Sequence, residues 1–308
     1  MFLWGRFSGA RHIGRLPGMI AHLWTEMRPA QWAKNLAVFA PLLFAQQLFI
    51  PDAFVRALFA FVLFCGVSSA VYLLNDVLDY EQDRTHPGKR HRPLAAGHLP
   101  RGTVLGASGT LLVFVFAGAL LLGRGVLVIV VGYWLLNLIY SLWLKHQVIL
   151  DVFAIAAGFV LRVVGGAVAV VVEISHWLLM CTTLLALFLG FCKRRHELLS
   201  FGMDGDHHRQ VLAEYNLRFL DMMIGIVTAA TVMSYALYTV SEETVRKFQT
   251  EGLLATLPFV LYGIFRYLYL VYHKELGGDP TQQMLTDIPL LFNLGLWVLT
   301  VGIVLYWR

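Results

Sequence analysis

Charged residues are scarce in this sequence. Asp, Glu, Lys and Arg make up 14% of its 308 residues, against roughly 25% in soluble domains. The hydrophobic fraction is 58% and the mean hydropathy is +0.67, which together exclude a water-soluble globular fold. The apolar runs are continuous rather than alternating with polar residues, which argues against a membrane β-barrel.

Cysteine is scarce as well. Cys65, Cys181 and Cys192 all lie in apolar runs, and none of them belongs to a Cys-x-x-Cys pair. We therefore expect them to be inert packing residues rather than metal ligands or disulfide partners.

Long apolar runs, in contrast, are abundant. Runs of about 20 such residues predict an all-α, polytopic membrane protein in which residues 1–308 form a single transmembrane domain. Nine transmembrane helices are expected at 33–50, 53–75, 103–123, 125–144, 148–172, 175–192, 219–240, 253–272 and 286–307.

The basic residues predict how these helices are oriented. With the N-terminus in the cytoplasm, most of the 24 lysines and arginines fall in the N-terminal segment and in four connections, 76–102, 145–151, 193–218 and 273–286. The positive-inside rule favours this topology. It predicts a multi-pass protein of the inner (plasma) membrane with its polar connections facing the cytoplasm. The net charge of +5 then reflects topology and does not indicate nucleic-acid binding.

The first 30 residues contain no uninterrupted apolar stretch of the kind that a cleavable signal peptide needs. Ile20, Leu23, Trp24 and Met27 recur at helical spacing. We therefore expect residues 1–30 to be a cytoplasmic segment with an amphipathic helix in the membrane interface.

An acidic stretch follows the second predicted span. Asp76, Asp79 and Asp83 are spaced i, i+3, i+7, and Asn75 lies four residues before Asp79, so on a helix they project from one face. Such carboxylates repel each other unless a cation lies between them, and oxygen ligands of this kind suit Mg²⁺. The stretch favours a site for Mg²⁺ and a diphosphate, although a solvated acidic helix end fits the spacing as well.

Basic residues follow the acidic stretch at Lys89, Arg90 and Arg92. Pro87-Gly88 and the later glycine Gly97 break regular structure here, so the basic segment can fold back over the carboxylates. Lysine and arginine are suitable partners for phosphate oxygens beyond a metal. The alternative is that these residues only determine topology.

A second basic cluster, Lys193-Arg194-Arg195-His196-Glu197, follows the sixth predicted span. It is a candidate anion-binding site that faces the acidic stretch, in which Glu197 orients the cations or binds a sugar hydroxyl. A cluster at the end of a span is also typical of a signal that stops membrane insertion.

Two further features lie at the edge of the membrane or within it. Lys34-Asn35 opens the first predicted span, where snorkelling explains the lysine as well as ligand binding does. Asp151 and Arg162 lie at the start and in the middle of the fifth span and nearly on one face. Because a charge deep in a span is costly, Arg162 is expected to reach a phosphate, to line a polar cavity or to pair with Asp151.

Together these features resemble the UbiA superfamily of intramembrane prenyltransferases. The acidic stretch alone supports only the superfamily, whereas the remaining motifs look like its decaprenyl-phosphate phosphoribosyltransferase branch. Those motifs are Arg28-Pro-x-Gln-Trp-x-Lys34-Asn35, His86-Pro-x-Lys-Arg-x-Arg-Pro-x-Ala-Ala-Gly97, Leu144-Lys145-His146 with Asp151, Leu161-Arg162, Lys193-Arg194-x-x-Glu197-Leu198, and Arg266-Tyr267 followed by Gly278-Asp279-Pro280 and Asp287. The similarity runs from about residue 28 to the end.

The resemblance implies a UbiA-like catalytic bundle that acts in cell-envelope biosynthesis. It implies Mg²⁺-dependent transfer of 5-phosphoribose from phosphoribosyl pyrophosphate to a polyprenyl (decaprenyl-like) phosphate within the lipid membrane. The residues expected to be catalytic are Asp76, Asp79 and Asp83, and these three together with Asn75 are the expected metal ligands. The residues expected to bind substrate are Lys34, Asn35, Asn75, Lys89, Arg90, Arg92, Tyr140, Lys145, Asp151, Arg162, Lys193, Arg194 and Glu197.

One departure from the superfamily pattern favours this branch. Members that use a prenyl diphosphate carry a second aspartate-rich motif after the sixth span, where this sequence has the cationic cluster 193–197. Cations suit a substrate with an additional phosphate that lacks its own metal. The alternative is an aromatic prenyltransferase with a prenyl diphosphate donor. A transporter of anionic solutes is disfavoured because the charges crowd one face of the membrane.

Overall fold

The computed structural model describes residues 18–86, 88–204, 214–274 and 277–307, without the side chains of 201–204. These ranges are helical and contain no strand. The α-helices are α1 (Gly18–Glu26), α2 (Ala40–Phe44), α3 (Pro51–Leu78), α4 (Tyr80–Thr85), α5 (Arg101–Leu122), α6 (Arg124–Leu142), α7 (Leu150–Val170), α8 (His176–Asp204), α9 (Leu217–Val240), α10 (Glu242–Phe248), α11 (Leu257–His273), α12 (Pro280–Thr286) and α13 (Ile288–Tyr306). Segments of 3₁₀ helix cover Pro29–Phe39, Leu144–His146 and Gly252–Thr256.

Eight segments of the described chain are long and apolar enough to cross a membrane. They are α3, α5, α6, α7, α9, α13, the part of α8 up to Ser200, and Gly252–His273, which includes α11. They match the second to ninth predicted spans and confirm an all-α, multi-pass membrane protein. The first predicted span, 33–50, is different because Pro29–Phe39 winds as a 3₁₀ helix that continues into the short helix α2.

The two largest apolar cores between the helices share α7. Phe64 and Val130 lie in the core between α3, α5, α6 and α7, whereas Phe188 and Ile264 lie in the core between α7, α8, α9 and α11. Large apolar side chains such as Phe114 are exposed on the outer surface, as expected where helices face lipid rather than water.

Gly166 on α7 allows the segment Pro29–Phe39 to approach closely. A Cβ atom at this position would lie 2.1 Å from the carbonyl oxygen of Val38, and a backbone atom cannot move aside as a flexible side chain would. We expect Gly166→Ala to destabilise the protein by about 1–3 kcal/mol, as overpacking of a dense core does. Thermal unfolding in detergent would measure this, with Gly109→Ala as the control because nothing lies within 4 Å of the added Cβ. Equal midpoints for the two variants would contradict the close contact.

The α8 helix is longer than the sixth predicted span. The prediction ended at residue 192, but the helix continues to Asp204, so the cluster 193–197 lies on a helix and not in a loop. No proline or glycine interrupts this cluster, and ion pairs from Lys193 and Arg194 to Glu197 at i, i+4 and i, i+3 spacing support the helix. Residues 205–213 of the same connection lie outside the described residues, as do residues 1–17 of the predicted interfacial segment.

The polar connections meet at one end of the bundle. Lys145 contacts Asp79 and Arg194 contacts Asp151, which brings the end of α3, the α6–α7 connection and α8 together. The opposite end contains α10. There, Arg56 donates hydrogen bonds to carbonyl groups at the C-terminal ends of α5 and α7, where a positive charge complements the helix dipoles.

Candidate active site

The acidic stretch lies where α3 passes into α4. The helix is interrupted at Asp79, but the Asp79 N–H still bonds to the carbonyl of Asn75 and the Asp83 N–H to that of Asp79. The i, i+4 pattern therefore continues across the interruption. As a result the side chains of Asp76 and Asp83 remain on one face, and both are buried.

Arg92 joins these two carboxylates. Its Nη1 donates to Oδ1 of Asp76 at 2.9 Å and also to Oδ2 of Asp83. Arg28 donates to the same Oδ1 of Asp76, and Nζ of Lys89 lies 3.5 Å from Oδ1 of Asp83. The basic segment thus folds back over the acidic stretch, and Arg28 is a partner that the sequence interpretation did not assign.

Asp79 and Asn75 have separate partners. Oδ1 of Asp79 accepts a hydrogen bond from Nζ of Lys145 at 2.8 Å. The Asn75 side-chain oxygen accepts one from the Ser141 hydroxyl at 2.5 Å. Because the helix is interrupted at Asp79, this carboxylate points to α6 and the residues that follow it rather than to Arg92.

The acidic stretch has suitable oxygen donors for a divalent cation, although its carboxylates are paired with basic side chains. Among the described residues, no three His, Cys, Asp or Glu side chains are placed to hold a metal as they stand. Oδ2 of Asp76 is nevertheless buried and accepts no hydrogen bond from a nitrogen or hydroxyl donor, and the Glu26 carboxyl lies within hydrogen-bond reach of Asp76. Since Mg²⁺ prefers a few carboxylates and completes its shell with water or phosphate, this oxygen fits the predicted metal.

Glu26 is a buried carboxylate that the sequence interpretation missed. Its Oε1 accepts a hydrogen bond from the N–H of Leu94 at 2.7 Å, which fixes the basic segment to the end of α1. Burial, and next the neighbouring Asp76 carboxyl, raise the pKa of Glu26 to about 7, although the Leu94 N–H acts in the opposite direction. Nothing in the local sequence indicates this contact, because the two residues meet only in the fold.

A second, deeply buried ion network connects α7 with α8. The side chains of Arg194 and Asp151 are both 0% exposed, and Nε of Arg194 lies 2.5 Å from Oδ2 of Asp151. The Arg194 guanidinium also donates to Glu197, and to the Tyr140 hydroxyl at 3.2 Å. Tyr215, which was not predicted, donates to Oδ1 of Asp151 at 2.8 Å. The network therefore fixes the positions of Glu197 and Tyr140.

Arg162 does not contact Asp151, so the predicted pairing of these two residues is wrong. They lie about 16 Å apart along α7 at roughly 1.5 Å per residue, which is too far for an arginine side chain. Nε of Arg162 donates to Oδ1 of Asn35 at 2.7 Å and Nη2 to the Tyr133 hydroxyl at 2.6 Å. Arg162 is buried, and none of the ion pairs among the described residues includes it. Its charge is therefore free to bind an anion.

Asp279 brings the C-terminal half of the chain to the same region. Its Oδ1 accepts N–H groups in the first turn of α12, and its Oδ2 accepts the Gln31 side-chain amide at 2.8 Å. Burial opposes ionisation of this carboxyl, but hydrogen bonds from Gln31 and Gln282 and the charges of Lys34 and Lys193 outweigh it and keep its pKa below the usual value. Two predicted substrate-binding lysines therefore lie near Asp279. An aspartate directly before a proline is a helix N-cap signal, and it could have marked this residue.

Two glycines before Asp279 allow this segment to pack against α8. The Gly277 N–H donates to Nδ1 of His196 at 3.1 Å. Cβ atoms at Gly277 and Gly278 would lie 2.5 Å and 2.9 Å from His196 atoms. A side chain at Gly277 would push the segment away from the cationic cluster on α8, because the Cys192 carbonyl oxygen also lies 3.2 Å from the added Cβ.

One predicted substrate-binding residue lies apart from the others. Arg90 is exposed, and its Nε donates to Nε2 of the neighbouring His91 at 3.3 Å. It points away from Asp76 and Asp83 because the turns that follow residue 87 present only Lys89 and Arg92 to the carboxylates.

An apolar cavity of about 360 Å³ lies beside the charged region, between α8, α9, α11 and α13. Its walls are largely aliphatic and aromatic and include Trp177, Tyr238 and Trp297. Along α8 the lining extends from Trp177 to Leu189, a rise of about 18 Å. Concave sites with such walls suit the hydrocarbon part of a ligand.

These features define a multi-pass membrane protein with a buried ionic site at one end of the bundle and an apolar cavity beside it. A model of the UbiA prenyltransferase family matches residues 36–286, and the chain belongs to this family. The resemblance inferred from the sequence motifs is thus confirmed.

Relatives and a solved structure agree with this assignment. The chain is 30% identical to a decaprenyl-phosphate phosphoribosyltransferase of Mycolicibacterium smegmatis, over 94% of this chain and 93% of the relative. It is 34% identical to one of Corynebacterium glutamicum, over 91% and 85% of the two chains. Its fold is similar to that of a UbiA homologue from Archaeoglobus fulgidus bound to GPP and Mg²⁺, with a TM-score of 0.69, 16% identity, and coverage of 92% of this chain and 99% of the other. At that identity the structural likeness concerns the fold alone.

Proposed function

We propose that this protein transfers 5-phosphoribose from phosphoribosyl pyrophosphate to a polyprenyl phosphate and releases pyrophosphate. The arrangement of charge carries the proposal. The acidic stretch, in which Asp76 and Asp83 are buried, is surrounded by basic side chains, and further cations lie on α7 and α8. The surrounding residues are Arg28, Lys89, Arg92 and Lys145. Relatives named for this activity are 30% and 34% identical over more than nine-tenths of the chain.

The charged side chains suit a donor that arrives with both Mg²⁺ and phosphates. Arg28, Arg92 and Lys145 neutralise the carboxylates of the acidic stretch. Asp76, Asp79 and Asp83 would hold the metal, and the basic side chains beside them would hold the phosphate oxygens of the donor. Each buried charge of the acidic stretch would then have a partner of opposite sign. A buried charge without such a partner would be strongly destabilising. Mg²⁺ bound there would neutralise the negative charge that develops on the departing pyrophosphate.

The acceptor phosphate is the nucleophile in this scheme. One of its oxygens forms a bond to C1 of the ribose while the bond from C1 to the pyrophosphate oxygen breaks, and C1 gains oxocarbenium character. No general base is required, since a phosphate monoester is ionised at pH 7. Lys34, Lys193 and Arg162 position the anionic groups. Glu197, fixed by Arg194, is placed to bind a ribose hydroxyl.

The apolar cavity offers a place for the start of the acceptor's hydrocarbon chain. It begins beside the charged region at Tyr267 and Met284 and continues between helices whose outer surfaces face lipid. A long polyprenyl chain therefore leaves the protein sideways into the membrane.

We further propose that residues 29–44 complete a ninth crossing with the N-terminus in the cytoplasm. Eleven residues of 3₁₀ helix at about 2.0 Å each and five of α-helix at about 1.5 Å each extend roughly 30 Å, the thickness of the hydrocarbon core. Most of the 24 lysines and arginines then lie at the end of the bundle that contains the ionic site. This end is on the cytoplasmic side of the inner membrane.

The donor decides between this proposal and an aromatic prenyltransferase. Purified protein would be given either labelled phosphoribosyl pyrophosphate with decaprenyl phosphate, or geranyl diphosphate with 4-hydroxybenzoate. We expect a labelled phosphoribosyl lipid in the first mixture only. Its formation should stop when a chelator removes divalent cations and resume when Mg²⁺ is restored. A prenylated aromatic product, or transfer that continues unchanged in the chelator, would contradict the proposal.

A further inference from the structure

The hydroxyl of Tyr267 is buried without a hydrogen-bond partner. The residue is 3% exposed, and its ring is fixed by an edge-to-face contact with Phe188 at 5.5 Å between centroids. Buried polar groups without a partner are rare in proteins, and each one requires an explanation. A ligand that accepts a hydrogen bond at this point is one such explanation.

Tyr267 lies at the boundary between the apolar cavity and the ionic site. It lines the cavity and is the lining residue of α11 nearest the polar end of the bundle. Phe188, one helical turn before Cys192 and Lys193 on α8, packs on the apolar side of the ring. Asp279 caps α12, and Met284 of the same short helix lines the cavity together with Tyr267. Lys34 and Lys193 lie near Asp279.

We infer that Tyr267 is a specificity-determining residue whose hydroxyl donates a hydrogen bond to the phosphate end of the lipid acceptor. This inference rests on the proposed function, since that function supplies a ligand with a hydrocarbon chain in the cavity and a phosphate in the ionic site. The junction of chain and phosphate then falls at the boundary where Tyr267 lies. Asp279 is not a partner of this hydroxyl, which has none among the described residues; the oxygens of Asp279 accept hydrogen bonds from Gln31 and from the first turn of α12.

The test compares Tyr267→Phe with Tyr262→Phe, a matched control on α11 whose side chain is 47% exposed on the outer surface. Binding of decaprenyl phosphate and of decaprenol would be measured without donor, by quenching of the tryptophan fluorescence to which Trp177 and Trp297 in the cavity wall contribute. We expect Tyr267→Phe to weaken binding of decaprenyl phosphate about tenfold or more, the usual effect of one hydrogen bond to a charged acceptor. Binding of decaprenol should not change. Thermal stability should be kept, because the variant removes only an unpartnered hydroxyl.

Steady-state kinetics supply the second measurement. In Tyr267→Phe the KM for decaprenyl phosphate should rise while the KM for phosphoribosyl pyrophosphate stays that of the wild type. Unchanged affinity for decaprenyl phosphate, or an equal loss for decaprenol, would overturn the inference even if the wild type transfers phosphoribose. If the wild type transfers none, the proposed function fails, and the binding comparison still decides whether Tyr267 recognises a lipid phosphate.

Discussion

Replacement of Asp76 by asparagine is expected to lower phosphoribosyl transfer by roughly 10³-fold, comparable to the loss of a central electrostatic group in other active sites. Asp76 pairs with Arg28 and Arg92 and has the buried oxygen that accepts no hydrogen bond from a nitrogen or hydroxyl donor. Asparagine keeps the shape but removes the charge that would hold Mg²⁺, so the donor's pyrophosphate loses its metal. The fold should persist, because Arg92 retains Asp83 as a partner. Initial rates with labelled donor, together with unfolding midpoints, would measure both effects.

Glu81→Gln is the matched control for this experiment. Glu81 is acidic and only five positions away, but its side chain is 73% exposed and it pairs with Arg101. We expect a rate close to that of the wild type, since exposed pairs contribute little. A rate for Asp76→Asn within a few-fold of the control at saturating Mg²⁺ would show that the acidic stretch does not hold the metal.

The sequence predicted the parts of the fold that depend on the length of apolar runs. Eight of the nine expected spans are long helices close to the expected bounds, because about 20 apolar residues at 1.5 Å each are needed to cross a bilayer. The first span was predicted as a transmembrane helix like the others, but its first part is a 3₁₀ helix. Hydropathy does not distinguish a 3₁₀ helix from an α-helix, and the tight contact of Val38 with Gly166 on a distant helix is not visible in the local sequence.

The candidate site was predicted less completely, because spacing along one helix says little about partners on other helices. Asp76 and Asp83 meet on Arg92 as the folded-back segment suggested. The partners Glu26 and Tyr215, however, are brought in from remote segments. Asp151 and Arg162 share a face of α7, yet separation along the axis prevents their contact, and Arg194 from α8 takes the carboxylate instead.

Arg162→Met is expected to abolish most of the activity without lowering stability, since a buried charge with only neutral partners is costly to the fold. After the substitution, Asn35 and Tyr133 keep Ser68 as a hydrogen-bond partner, at 3.4 Å and 3.2 Å. The unfolding free energy should therefore stay the same or rise by up to about 2 kcal/mol. Turnover should fall about 100-fold or more, as for other preorganised groups that stabilise developing charge.

Arg194→Met is the control variant. It separates the effect of losing Arg162 from the effect of losing any buried arginine. Arg194 is also buried in the bundle, but its removal leaves Asp151 as a buried carboxylate with only neutral partners, which costs about 3–5 kcal/mol. We thus expect a large drop in the unfolding midpoint for Arg194→Met and none for Arg162→Met. If Arg162→Met were as unstable as Arg194→Met while its folded fraction kept full activity, Arg162 would be a structural residue and not one that binds the anionic substrate.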